Sequence, residues 1–130
     1  DMYGSVNIAR DDRAGRIHQD SQNLRFFGAP VGFMYTIHRS MGQGHWADMG
    51  MLLQSVMLTA RAEGLHTCPQ QVWAMWPKTV SEYLKVPDDR MIFCGMGLGY
   101  MDTDHPINNW RTTRQDIDDF TTFAGFDDPA

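Results

Sequence analysis

The chain has 130 residues, room for one domain able to bury roughly two thirds of its unfolded surface. Hydrophobic residues make up 42% and charged residues 21%, an ordinary globular balance that excludes wholesale disorder. Eleven Lys and Arg against sixteen Asp and Glu leave a net charge of −5 with no basic block, so no nucleic-acid or anionic-membrane surface is expected.

No apolar run approaches the roughly 20 residues of a membrane span. Asp1-Met2-Tyr3-Gly4-Ser5 lacks the charged flank and apolar core of an export signal. Cys68 and Cys94 have the spacing of neither a disulfide framework nor a zinc knuckle. The expectation is a soluble chain in a reducing, cytoplasmic setting. Ten Met and fifteen aromatics (7 Phe, 4 Tyr, 4 Trp) are many for this length, and suit a core or a subunit interface before they suit the wall of a flat ligand site.

Residues 1–25 are polar. The mixed-sign run Arg10–Arg16 reads as an exposed helix or loop with local ion pairs, without a clean cap. After Phe26-Phe27 and Gly28-Ala29-Pro30, the apolar stretch Val31–Ile37 predicts a strand buried on both faces, with Pro30 at its start. Ser40–Gly44 is a turn cluster. From Trp46 to Glu63 the apolar spacing becomes helical, and charges are few, so a long helix buried against more than one partner is expected, ended by Gly64.

Leu65–Gln71 reads as a loop, with Pro69 able to open a short helix. Trp73 and Trp76 share one face before Pro77 breaks that helix, and Thr79–Leu84 forms another. Val86–Asp89 is a turn, Met91–Tyr100 a second buried strand, and polar loop follows through Asn109. The tail from Asp116 to Phe126 is acidic with spaced apolar residues.

Gly95-x-Gly97-x-Gly99 lacks the following helix of a dinucleotide fingerprint, and alternating glycines in a strand allow close approach of another group. Gly42-x-Gly44 could meet an anion at a helix start, although a connecting turn is the plainer reading. His45, His66 and Cys68 have no paired metal-ligand spacing, and no metal is expected. No nucleophile elbow or Ser-His-Asp order is present, so no side-chain acid, base or nucleophile stands out as catalytic. Cys68 would be a redox thiol only with a depressed pKa, and no basic neighbour in sequence supplies one. Arg111 and Arg114, three apart in an acidic chain, suit either rim ion pairs or bidentate grip on a phosphate.

Several of these pieces, taken in order, resemble the FMN-dependent nitroreductase family: Phe27-Gly28-Ala29-Pro30-Val31-Gly32, Gly44-x-Trp46-x-Asp48-x-Gly50, Gln54, Leu58–Ala60 and Gly64-Leu65-x-Thr67-x-Pro69. Val86-Pro87-Asp88, Gly97-x-Gly99-Tyr100, Pro106-x-Asn108 and Arg111-x-x-Arg114 continue the series. The resemblance covers the C-terminal portion of that family's domain. Its Arg-Ser-x-Arg-like and Asn-x-Gln-Pro-Trp-like segments have no counterpart here, so the chain is expected to be a fragment, a truncated frame or one piece of a two-part protein.

The resemblance implies one partial domain over residues 1–130, of α+β class, with a mixed sheet flanked by helices and an intertwined homodimer built on helix 46–63. It implies FMN at the subunit interface, though a partial chain need not retain it. Pro69, Gln70, Gln71 and Val72 match the loop under the isoalloxazine ring, where a backbone N–H would meet flavin N5. Many members carry Glu-Gly where this chain has Gln71-Val72. Arg111 and Arg114 match the basic pair on the FMN phosphate. Trp73 and Trp76 are candidates for the substrate wall, with core packing an equal alternative. The implied chemistry is ping-pong hydride transfer from NAD(P)H to a nitroaromatic or quinone-type acceptor. The different-class alternative is a flavin-free dimerisation module of the same fold. A family lid between Ile37 and Trp46 is short here, which leaves residues 1–22 as candidate cover.

Overall fold

A computed structural model of the chain describes residues 2–126. Its centre is a three-stranded antiparallel sheet in the order β1-β3-β2, formed by Val31–His38, Arg90–Gly99 and His66–Gln70. The α+β reading holds. β3 suits the middle position because it is apolar or glycine from Met91 to Gly99. Ile92, Cys94, Gly95, Met96 and Gly97 are all buried, and Met96 is 0% exposed.

β1 corrects one expectation. It is an edge strand whose first residues, Val31 to Phe33, are exposed, and only Ile37 is fully buried. Its register with β3 slips between Tyr35 and Thr36, which leaves Phe93 without a partner in the β1 ladder. A slip of this kind bends and twists the strand carrying the extra residue.

β2 corrects another. Residues read as a loop form a strand, with Pro69 opposite Met96 and Gln70 opposite Gly95. Proline is tolerated because β2 lies at the sheet edge, where one side of the backbone needs no ladder bond. The short helix expected to open at Pro69 begins two residues later, as a tight turn of 3-10 helix over Gln71–Met75. Helix α4 (Pro77–Leu84) starts at Pro77, whose missing N–H costs nothing in a first turn, and stops at Lys85 in the left-handed conformation.

The polar start is more ordered than its composition suggests. After α1 (Met2–Ser5), α2 spans Arg13–Ser21 with a true cap: the Asp12 carboxylate accepts the Gly15 N–H at 2.8 Å. Among the described residues, no ion pair forms in the Arg10–Arg16 run. A 3-10 segment over Gln22–Gly28 then kinks at Phe26 (φ 51°) and Phe27 (φ 52°), both left-handed. That conformation costs an L residue roughly 1–2 kcal/mol. Packing offsets it, since the Phe26 ring lies against Gly32 and stacks on Trp73 at 4.8 Å between centroids.

The long helix α3 runs from Gln43 to Ala62, three residues earlier than its apolar spacing predicts, with Gly42 at its N-cap and Gly64 (φ +75°) just past its end. Its burial is the main departure. Only Ala60 is buried, near the end that packs on β2, while Met51 and Leu58 are 62% and 61% exposed. The whole chain exposes 10134 Å², against about 7,000 Å² for a compact monomer of 14.9 kDa. Beyond β3, α5 (Pro106–Asn109) and a 3-10 turn at Ile117–Asp119 precede an exposed tail carrying Phe120, Phe123 and Phe126. No helix among the described residues is long and apolar enough to cross a membrane.

Candidate functional site

The residues matched to the flavin loop form the corner where β2 meets its 3-10 turn. Pro69 and Gln70 close the strand, and Gln71 and Val72 open the turn. Opening N–H groups of any helical turn have no acceptor within it, so backbone donors at Gln71 and Val72 are a consequence of this geometry. Gln70 points inward. It is buried, its Oε1 accepts from Trp73 Nε1 at 3.1 Å, and its Nε2 donates to Asn23 Oδ1 at 3.3 Å.

Gln71 points outward. It lines a cavity of about 280 Å³ with Trp46, Ala74, Met91, Ile92 and Phe93. Trp46 comes from the first turn of α3 and Phe93 from the register slip in β3. Tertiary folding therefore brings three separate stretches of chain around one apolar slot with a single amide at its rim. Trp46 stands inside the Gly44-x-Trp46-x-Asp48 match, where no local pattern marks it as a wall of this slot.

The two candidate wall tryptophans part company. Trp73 is half-buried, stacked on Phe26 and lying over Gly95, and it contributes to a second apolar cavity of about 300 Å³ with Met34, Val80 and Tyr83. Trp76 is 56% exposed. The glycine ladder of β3 is likewise used internally. Side chains at Gly95, Gly97 and Gly99 would collide with or crowd Trp73, Ala29 and Pro30 respectively, so the close approach that these glycines permit is taken by the chain itself.

Arg111 and Arg114 lie in the exposed segment after α5. Arg111 Nη1 donates to the carbonyls of Asn108 at 2.7 Å and Trp110 at 2.9 Å. Arg114 Nη1 donates to the carbonyls of Thr112 at 3.2 Å and Thr113 at 3.1 Å, and to the Thr112 hydroxyl. Among the described residues these bonds all leave from Nη1, so Nε and Nη2 of each guanidinium keep the paired geometry that a phosphate takes. No hydrogen bond among the described residues joins either arginine to the Pro69–Val72 loop.

The donor set fits a flavin mononucleotide in kind. An apolar slot suits the ring, backbone donors suit its edge, and two always-charged guanidinium groups suit its phosphate. His66 faces Arg61 through Nε2 at 2.5 Å and accepts the Met101 N–H through Nδ1, and no metal-holding cluster exists among the described residues. Both cysteines are free, Cys68 exposed and Cys94 buried, and partial desolvation raises the Cys68 thiol rather than depressing it.

Comparison with known proteins gives the chain a family. The family model described as "Nitroreductase family" matches residues 4–100. The chain is 42% identical over 126 residues to a 4-nitrobenzoate reductase of Pseudomonas putida, covering 97% of this chain and 56% of that protein. It is 37% identical over 115 residues to a chloronitrobenzene nitroreductase of Comamonas testosteroni, covering 88% and 51% respectively. It superposes on the crystal structure of an FMN- and NADPH-dependent nitroreductase, NfnB, from Sphigopyxis sp. strain HMH with a TM-score of 0.93 and 47% identity, over 96% of this chain and 56% of that one. The FMN-dependent NfnB of Mycobacterium smegmatis, solved in complex with NADPH, gives a TM-score of 0.90 at 30% identity, over 95% and 55%. The chain spans about half the length of the curated relatives it matches. By its sequence match and its fold, the chain belongs to the nitroreductase family.

Proposed function

We propose that this chain, as one partial domain over residues 1–130, is the C-terminal portion of an FMN-dependent oxidoreductase that uses NAD(P)H to reduce nitroaromatic or quinone-type acceptors. The observation that carries this reading is the superposition of 96% of the chain on an FMN- and NADPH-dependent nitroreductase at 47% identity. When bound, FMN would supply the hydride chemistry between nicotinamide and acceptor, in a ping-pong order. The residues of the chain bind and orient. The Gln71 and Val72 backbone donates to the flavin edge beside Pro69 and Gln70, Arg111 and Arg114 neutralise the phosphate, and Trp76 offers its exposed face to the acceptor. No side-chain acid or base is needed.

The working unit in this proposal is a homodimer joined along α3. Supporting it are the exposed apolar girth of that helix and roughly 3,000 Å² of surface per chain beyond a compact monomer, more than each partner of an ordinary obligate interface buries. The remaining half of the family's length would share in covering that surface. Free thiols and a need for reduced nicotinamide suit a cytoplasmic setting.

The test is anaerobic. The full chain is dialysed against FMN, NADPH is added, and the flavin's visible band is followed. The reading predicts bleaching by NADPH and recovery on adding 4-nitrobenzoate. Bound flavin that NADPH cannot bleach contradicts the activity. A chain that takes up no flavin yet dimerises supports the flavin-free module instead.

A further inference from the structure

Gln70 is the buried polar residue of the described chain, 3% exposed. A carboxamide removed from water is costly unless its donor and acceptor are both met. Here they are, by residues from opposite sides. Trp73 Nε1 donates to its Oε1 at 3.1 Å, and its Nε2 donates to Asn23 Oδ1 at 3.3 Å. Asn23 in turn donates through Nδ2 to the Asp20 carbonyl at 2.9 Å. One relay therefore runs from the end of α2, across the turn before β1, through the last residue of β2 and into the 3-10 turn.

Both residues flanking Gln71 and Val72 are held. Trp73 is stacked on Phe26 and has Gly95 beneath it, and Gln70 is paired with Gly95 in the sheet. Gln71 and Val72 are the two residues strung between these anchors. Their peptide planes can turn only as far as Gln70 and Trp73 allow.

We propose that Gln70 is a positioning residue: its side chain does not reach toward flavin but, by holding the Trp73 indole, sets the Gln71 and Val72 backbone against the isoalloxazine edge. This rests on the flavin reading above. It also makes residues 13–28 part of the site's support, because the carboxamide is held from that side by Asn23.

The test is FMN titration of the full chain, read by quenching of flavin fluorescence, with melting temperature measured alongside. Gln70→Met keeps the length of the side chain and removes both hydrogen bonds. It should weaken FMN binding about five- to tenfold. Without flavin, it should also speed solvent exchange of the Trp73 indole N–H, a signal assigned by its loss in Trp73→Phe. The double variant with Trp73→Phe should bind no more weakly than Gln70→Met alone, since the shared bond is already gone. Asn23→Ala should shift affinity in the same direction by a smaller factor, and it provides the test if Gln70→Met fails to fold.

A Gln70→Met variant that melts earlier yet binds FMN normally, well below its transition, shows a merely structural role and overturns the proposal. Additive losses in the double variant overturn it too. A wild-type chain that takes up no FMN overturns the flavin reading itself and this proposal with it, whereas normal uptake indifferent to Gln70 overturns this proposal alone.

Discussion

The indole of Trp73 occupies the space that a side chain on Gly95 would need. A Cβ built at Gly95 collides with the indole ring, which is also fixed by stacking on Phe26 at 4.8 Å. The middle strand and the 3-10 turn are thereby fitted to each other at the corner that carries the candidate flavin loop.

Gly95→Ala should therefore destabilise the protein by roughly 1–3 kcal/mol, the scale of overpacking in a filled core. Trp73→Ala should cost more, about 3–5 kcal/mol, by leaving a hole where a large aromatic was stacked. Urea unfolding of both variants against wild type measures the two effects, and equal stability of Gly95→Ala and wild type would refute the fit.

Met51 and Leu58 are exposed on α3 in the single chain. If a second copy covers them, a carboxylate at either place is buried without a partner. Met51→Glu and Leu58→Glu should each weaken self-association by about 3 kcal/mol, more than a hundredfold. Sedimentation velocity should show wild type as a dimer and the variants as monomers at the same concentration. Unchanged dimers in both would take α3 out of the interface.

Alkaline pH offers a third test. Burial raises the Cys94 thiol above its ordinary 9.0 and, as the larger of two causes, raises the Tyr35 phenol above its ordinary 10.0, with Cys94 adding to the latter. A group raised in the folded state contributes stability that is fully present below its unfolded pKa and is lost as pH climbs through its folded one. Stability should thus be level near neutrality and begin to fall above about pH 9. Cys94→Ala should flatten the first part of that fall, which melting curves across the alkaline range would register. Cys68, raised by the same cause, should react slowly with alkylating agents at neutral pH.

Arg111→Ala and Arg114→Ala should each weaken FMN binding by roughly 1.5–3 kcal/mol, the scale of charge-assisted hydrogen bonds. Because both guanidinium groups also brace their own loop through Nη1, Arg→Lys is the informative companion: it keeps charge but loses the fork. Isothermal titration with FMN separates the two roles, and unchanged affinity in both alanine variants would remove the pair from the site.

The parts of this fold that were legible beforehand are those in which local pattern and tertiary role coincide. β3 carries an apolar and glycine run from Met91 to Gly99 that suits a middle strand, and α3 keeps its helical spacing whether or not a partner is present. β2 was hidden because His66-Thr67-Cys68-Pro69-Gln70 has neither alternation nor β-branched density, and its pairing with β3 makes it a strand. β1 looked buried on both faces because it is apolar, yet its edge position leaves Val31 to Phe33 open in the single chain. Of the site, the Pro69–Val72 corner was placed by family resemblance. The division of labour within it, Gln70 inward and Gln71 outward, depends on Asn23, Trp73 and Trp46 arriving from elsewhere, and no local pattern encodes that.

The central claim is that this chain carries a flavin. The most direct measurement is the visible absorption spectrum of the purified chain after dialysis against FMN and removal of free flavin. A chain that carries flavin should show a retained flavin band with the shifted, structured profile of a bound ring, lost on unfolding. A colourless protein after that dialysis would contradict the claim.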